Sequence, residues 1–214
     1  MSVDPAAVAA VLTRAPVIPV LAIEEVRHAV PLAEALVAGG LPVIEVTLRT
    51  PAALEAIRAM AQVEGAIVGA GTVLDPDGLA RAVDAGARFI VSPGLTDRLA
   101  QAANRAGVPF LPGVATAGEI MRALDHGLTH LKFFPAETSG GAAAVKAFAG
   151  PFGAVRFCPT GGITPETAPG YLALPNVLCV GGTWIAPRDA LARQDWAAIR
   201  RLAAGAAALR PAAG

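Results

Sequence analysis

His130-Leu131-Lys132-Phe133-Phe134-Pro135-Ala136-Glu137 sets one lysine among apolar and aromatic residues, in a run too short for a helix and closed by proline. Such a run reads as a buried strand. The sequence holds only two lysines, Lys132 and Lys146, against fifteen arginines. Where positive charge alone suffices it uses Arg; at Lys132, where any charge is costly to bury, it uses Lys. An amine can lose its proton and attack a carbonyl, whereas a guanidinium stays charged. Lys132 is therefore a candidate Schiff-base lysine, set against the plainer reading of a snorkelling or ion-paired side chain.

Working outward, the same kind of run recurs at residues 17–23, 43–48, 66–73, 89–92, 110–114, 156–160 and 177–180, with 131–134 sixth in order. Their starts lie about 20 to 26 residues apart, the span of a strand, a helix and two short loops. Thr50-Pro51, Asp75-Pro76 and Thr164-Pro165 each predict a helix N-cap followed by proline. Gly86, Gly107 and Gly127 stand where helices would end in a left-handed residue. Leu54, Ile57 and Ala61 carry helical spacing, and a last helix after Asp195 sets Trp196, Ile199, Leu202 and Leu209 on one side. Asp4-Pro5 opens an additional N-terminal helix whose apolar face is Val8, Val11 and Leu12.

Eight strands alternating with helices predict an α/β fold with a parallel sheet, closed as a (β/α)8 TIM barrel. The alternative, an open doubly wound sheet, carries a Gly-rich fingerprint that does not follow Ile23. No composition shift or linker divides the chain, so residues 1–214 read as a single domain with a loose tail at 211–214.

Composition excludes several classes of function. Hydrophobic residues make up 54%, charged residues 16%, and the formal net charge is zero, which is no footprint for nucleic acid. The uncharged span 167–187 is broken by Pro169, Gly170, Pro175, Asn176, Gly181 and Gly182, so no membrane span is expected. No basic-then-apolar opening marks a secretory signal. Cys158 and Cys179 fall in strand cores and match no metal or redox spacing, which fits a reducing cytoplasm. His28, His126 and His130 are scattered, so no metal site is expected.

Strand alternation then selects the chemistry. In the second run Val43, Glu45, Thr47 and Arg49 share one face, while Ile44, Val46 and Leu48 share a wholly apolar one suited to packing under helices. The first set points into the barrel, as catalytic groups or as a structural Glu–Arg ion pair. His130, Lys132 and Phe134 likewise share a face, so Lys132 and Glu45 can oppose each other across the interior. Nearby Arg49, together with burial, would lower the amine's pKa, and the carboxylate could shuttle protons. Thr160-Gly161-Gly162 and Gly181-Gly182-Thr183 repeat a glycine pair after the seventh and eighth runs, where such barrels bind phosphate; plain tight turns are the alternative. In Gly69-Ala70-Gly71-Thr72 the small residues leave room for substrate and Thr72 offers a hydroxyl. His130 reads as a core or supporting residue, Trp196 as core, and Trp184 as pocket rim or interface.

Taken with Ser92-Pro93-Gly94-Leu95-Thr96 and Phe157-Cys158-Pro159-Thr160-Gly161-Gly162, these motifs resemble, in order, the class I 2-keto-3-deoxy-6-phosphogluconate (KDPG) aldolases. The resemblance implies Lys132 as Schiff-base lysine and Glu45 as general acid/base. It implies that Arg49 and Thr72 hold the pyruvate carboxylate, that Pro93, Phe134 and Thr160 line the pocket, and that Gly161, Gly162, Gly182 and Thr183 hold phosphate. Relatives often carry Ser where this chain has Thr183, and Thr160 matches the gluco-specific members. The implied substrates are a 2-keto acid and a phosphorylated aldehyde, with 4-hydroxy-2-oxoglutarate as a second cleavage substrate and a homotrimer as the assembly. No cofactor is implied, because an imine does the work of a Lewis acid. The competing readings are a phosphosugar isomerase or decarboxylase without a covalent adduct, and a sugar-phosphate-binding barrel without turnover.

Overall fold

The computed structural model describes residues 3–209, so the tail expected at 211–214 lies outside the described residues. Nine strand segments appear: β1 (Val17–Leu21), β2 (Val43–Thr47), β3 (Ile67–Gly71), β4 (Ile90–Val91), β5 (Phe110–Leu111), β6 (Gly113–Val114), β7 (His130–Phe133), β8 (Arg156–Pro159) and β9 (Val180–Gly182). They pair in parallel in the orders β5-β4-β3-β2-β1-β9 and β6-β7-β8. The helices are α1 (Pro5–Leu12), α2 (Ala29–Ala38), α3 (Ala53–Met60), α4 (Pro76–Asp84), α5 (Asp97–Ala106), α6 (Ala117–Asp125), α7 (Gly141–Phe148), α8 (Ala168–Leu172), α9 (Arg188–Ala192) and α10 (Trp196–Ala207). The result is an α/β fold around a curled parallel sheet. β1 and β2 are buried along their whole length, as strands covered on both faces must be, which is why they read as near-continuous apolar runs.

Two strands depart from their expected bounds. The run 110–114 is split into β5 and β6 at Pro112, which has no N–H to give the ladder. Its carbonyl still accepts from the Lys132 N–H at 2.8 Å, so the lysine strand stays in register. The run expected at 177–180 changes partner part-way. Leu178 N–H donates to the Phe157 carbonyl at 3.0 Å, beside an isolated Phe157–Val177 bridge, whereas Val180 already pairs with Val17 of β1. Strand β9 thus begins where the run was expected to end.

Helix signals were realised unevenly. Asp4 and Asp75 cap α1 and α4, accepting from Ala6 N–H at 2.9 Å and Gly78 N–H at 2.7 Å. Gly86, Gly107 and Gly127 follow α4, α5 and α6 at positive φ, as expected. Thr50 caps nothing: its hydroxyl donates to the Ile23 carbonyl at 2.5 Å, and α3 begins only after Ala52. Thr164 and Thr167 instead close a turn on each other ahead of α8. Nor does α10 bury Leu202, which is 38% exposed; Ile199, Ala203 and Ala206 form its inner face. The reason is Gly39 at the end of α2, where a Cβ would stand 2.4 Å from Ala203 Cβ, so only small residues fit that crossing. Among the described residues no helix is long and apolar enough to cross a membrane.

This crossing makes a prediction. Gly39→Ala forces the helices apart and costs about 1–3 kcal/mol. Gly205→Ala on α10 has open space around it and stabilises by about 0.5–1 kcal/mol. Urea unfolding of the two variants checks the opposite signs; equal shifts contradict the close approach.

Candidate active site

Among the described residues, the buried lysine and the buried carboxylate of the strands meet. Lys132 Nζ lies 3.2 Å from Glu45 Oε1, and the side chains are only 7% and 5% exposed. Alternation brings Glu45 inward from β2, and β7 brings Lys132, whose Nζ also sits 5.3 Å from the Phe134 ring centroid in a cation–π contact. The space beside them is a cleft lined by Glu45, Thr47, Arg49, Thr72 and Pro93 on one side of the chain order. Lys132, Phe134, Thr160, Gly161, Gly162 and Thr183 complete it, with Val20, Ile163 and Gly181. Glu45, Thr47, Lys132 and Thr160 are buried at its base, whereas Arg49, Gly162 and Thr183 are exposed at its rim. A ligand can therefore meet the lysine in a water-poor base while its charged ends reach the rim.

Local bonds fix the polar groups. Thr47 Oγ1 donates to the Leu21 carbonyl at 2.7 Å and accepts from Arg49 Nε at 3.0 Å, which aims the guanidinium from one end. Thr47 is thus a strut between strands. Thr72 holds φ 56°, a left-handed backbone that costs a β-branched residue roughly 1–3 kcal/mol. That strain places its hydroxyl-bearing side chain on the cleft wall. Ser92 Oγ donates to the Gly94 carbonyl at 2.6 Å and so pins the turn that presents Pro93.

Several glycines make room for particular neighbours. A Cβ on Gly71 would lie 2.1 Å from Glu45 Oε1, and one on Gly69 would strike the Phe89 ring. The space expected for substrate at 69–72 is filled by Glu45 and Phe89. Gly161 and Gly162 hold φ 104° and 80°, consecutive values that only glycine adopts readily. Gly182 does not line the cleft; the Trp184 ring covers it, and a Cβ there would lie 2.1 Å from that ring. Gly181 lines the cleft instead, and its missing side chain admits Thr160 Oγ1. Val20 and Ile163 were missed because apolar wall residues carry no chemical signal; the alternation of β1 could have found Val20.

The remaining candidates lie outside the cleft. His130 begins β7, its Nδ1 within 3.2 Å of Thr129 Oγ1, and burial, aided by Arg156, pushes its pKa down. Trp196 packs edge-on to His28 with centroids 5.7 Å apart. Cys158 and Cys179 are buried. Among the described residues no three His, Cys, Asp or Glu side chains group as metal ligands would.

With this geometry established, a family model for KDPG and KHG aldolases matches residues 8–202. The chain belongs to the KDPG and KHG aldolase family. The KHG/KDPG aldolase of Escherichia coli K12 is 55% identical over 194 residues, covering 90% of this chain and 91% of the relative. The crystal structure of the 2-keto-3-deoxy-6-phosphogluconate aldolase of Zymomonas mobilis ZM4 with 3-phosphoglycerate superposes with TM-score 0.92 at 54% identity, covering 96% and 97% of the two chains. The KDPG aldolase of Legionella pneumophila, with pyruvate captured as a covalent carbinolamine, gives TM-score 0.91 at 46% identity, covering 94% of this chain and 98% of that one.

In this aldolase Gly71→Ala should displace the Glu45 carboxylate. Aldol cleavage is expected to fall by about 10²-fold, the scale of a misplacement near 1 Å. Steady-state rates check it, and a variant with wild-type turnover contradicts the close contact.

Proposed function

We propose that the chain cleaves KDPG reversibly to pyruvate and glyceraldehyde 3-phosphate through a Schiff base on Lys132, with Glu45 moving the protons. The observation that carries this reading is the Lys132 amine held 3.2 Å from Glu45 at the buried base of the cleft. The carbinolamine in the Legionella relative supports the same chemistry.

Glu45 takes a proton from Lys132 across that contact, and the free amine adds to the C2 ketone. Glu45 returns that proton to the carbinolamine hydroxyl, which leaves as water to give a protonated imine and a free Glu45 carboxylate. Glu45 next takes the C4 hydroxyl proton, C4 becomes an aldehyde, and the C3–C4 electron pair moves toward the imine to form an enamine. The departing C4–C6 fragment carries the phosphate of C6, so it is glyceraldehyde 3-phosphate. Glu45 returns its proton to C3, and water then hydrolyses the imine to release pyruvate and regenerate Lys132.

Arg49 and Thr72 are assigned to the substrate carboxylate, a planar group that a guanidinium matches in two bonds. The Gly161–Gly162 turn, the Gly182 backbone and Thr183 are assigned to the phosphate. Pro93, Phe134 and Thr160 shape the pocket between, and Thr160 favours the gluco configuration. 4-Hydroxy-2-oxoglutarate has the same 2-keto-4-hydroxy pattern and would yield pyruvate and glyoxylate.

We infer further that residues 1–214 form one domain in which β5 and β6 count as one strand of a closed (β/α)8 barrel, with α1 as the additional helix. The Phe157–Val177 and Thr160–Gly181 bridges beside β8 support closure. A homotrimer is supported by Leu74 and Met121, which leave 63% and 60% of their surface exposed. Light scattering at the mass of one chain rejects it. Buried Cys158 and Cys179 suit a reducing cytoplasm.

Three outcomes test the mechanism. Borohydride with pyruvate is expected to fix a reduced adduct that peptide mapping places on Lys132; modification elsewhere refutes the assignment. Lys132→Arg should abolish turnover and trapping while circular dichroism shows a retained fold. Glu45→Gln should still trap pyruvate but exchange its methyl protons about 10²–10⁴-fold more slowly; proton exchange at the wild-type rate excludes Glu45 as carrier.

A further inference from the structure

Glu137, the last residue of the lysine-bearing stretch, does not line the cleft, yet it is built into the turn that does. Its N–H donates to the Gly161 carbonyl at 3.1 Å, next to a bond of 2.8 Å from Ala136 N–H to the Thr160 carbonyl. Its side-chain stem lies against Gly162, where an added Cβ would stand 2.8 Å from Glu137 Cγ. Its Oε1 accepts from the Tyr171 hydroxyl at 2.9 Å. Tyr171 is 2% exposed and belongs to α8, the helix that follows the Gly161–Gly162 turn. Two consecutive glycines at positive φ have many alternative conformations, and a ligand that needs one of them must pay to order the rest. Backbone, stem and carboxylate of Glu137 each remove some of that freedom before any ligand arrives.

We propose that the Glu137–Tyr171 pair is a positioning strut that holds the Gly161–Gly162 turn ready for the phosphate end of the substrate, leaving the chemistry at Lys132 untouched. The proposal rests on the assignment of phosphate to that turn. Burial, then the Glu137 carboxylate, push the Tyr171 phenol pKa up, so the hydroxyl stays a donor across the working pH range. The strut acts by holding, not by charge, since a carboxylate itself repels phosphate. What the strut needs is an acceptor on a stem of this length, which reaches Tyr171, and Gln would serve as well.

The test compares a reaction that uses the phosphate with one that does not. Glu137→Ala is expected to raise the KM for KDPG about tenfold, the scale of one lost hydrogen bond to a charged group. The exchange of pyruvate methyl protons, which involves no phosphate, should remain within about twofold of wild type. Tyr171→Phe removes a single oxygen from the same strut and should raise KM in the same direction. Glu137→Gln keeps both stem and acceptor and should restore KM to within about twofold of wild type. An unchanged KM in Glu137→Ala and Tyr171→Phe overturns the strut. So does a parallel fall in proton exchange, which marks a general structural role. Wild-type enzyme that cleaves KDPG and its dephosphorylated counterpart with equal KM refutes the phosphate assignment itself, a result separate from either of these.

Discussion

An ammonium and a carboxylate buried side by side need each other. Lys132 and Glu45 lie where water is nearly absent, and stripping either of its partner would leave a charge uncompensated at about 3–5 kcal/mol. Their meeting dictates much of the surrounding sequence. Glu45 reaches its place by lying over Gly71, where any side chain would strike it. Thr47, two residues along the same face, ties β2 to the end of β1 and orients Arg49. The polar residues of β2 therefore form one connected arrangement, with the lysine supplied from the far side.

The cleft grades from dry to wet. At its base a nucleophile gains from exclusion of water, while Arg49, Gly162 and Thr183 at the rim are open to solvent. In the middle of this gradient Thr72 keeps a left-handed backbone that Gly or Asn would adopt more cheaply, and it sets a hydroxyl and a methyl on the wall.

Much of this was legible in the residues. Alternation alone put Glu45, Thr47 and Arg49 on one face and Lys132 opposite, because a strand buried on both sides leaves no other place for polar groups. The breaks in legibility have specific causes. Pro112 interrupts a strand without altering its hydrophobic pattern, so the run looked continuous. The partner change between Leu178 and Val180 depends on where β1 stands, which no local pattern records. Thr50 has the form of a cap, but its hydroxyl is turned to donate to the Ile23 carbonyl and α3 begins only after Ala52. Glycines were the hardest to read: Gly71, Gly181 and Gly182 all make room, but for a carboxylate, a threonine and an indole, and a missing side chain does not say which neighbour uses the vacancy.

The placement of Glu45 and Thr47 on successive inward positions of β2 has a further consequence. β2 is flanked on both sides, by β1 and β3, with Val20 opposite Glu45 and Thr47 opposite Gly71. Sliding this strand by one residue would turn both polar groups outward together and Ile44 and Val46 inward. Such a slip cannot keep one of the pair without the other. Correct register and the inward placement of Glu45 are therefore reached together.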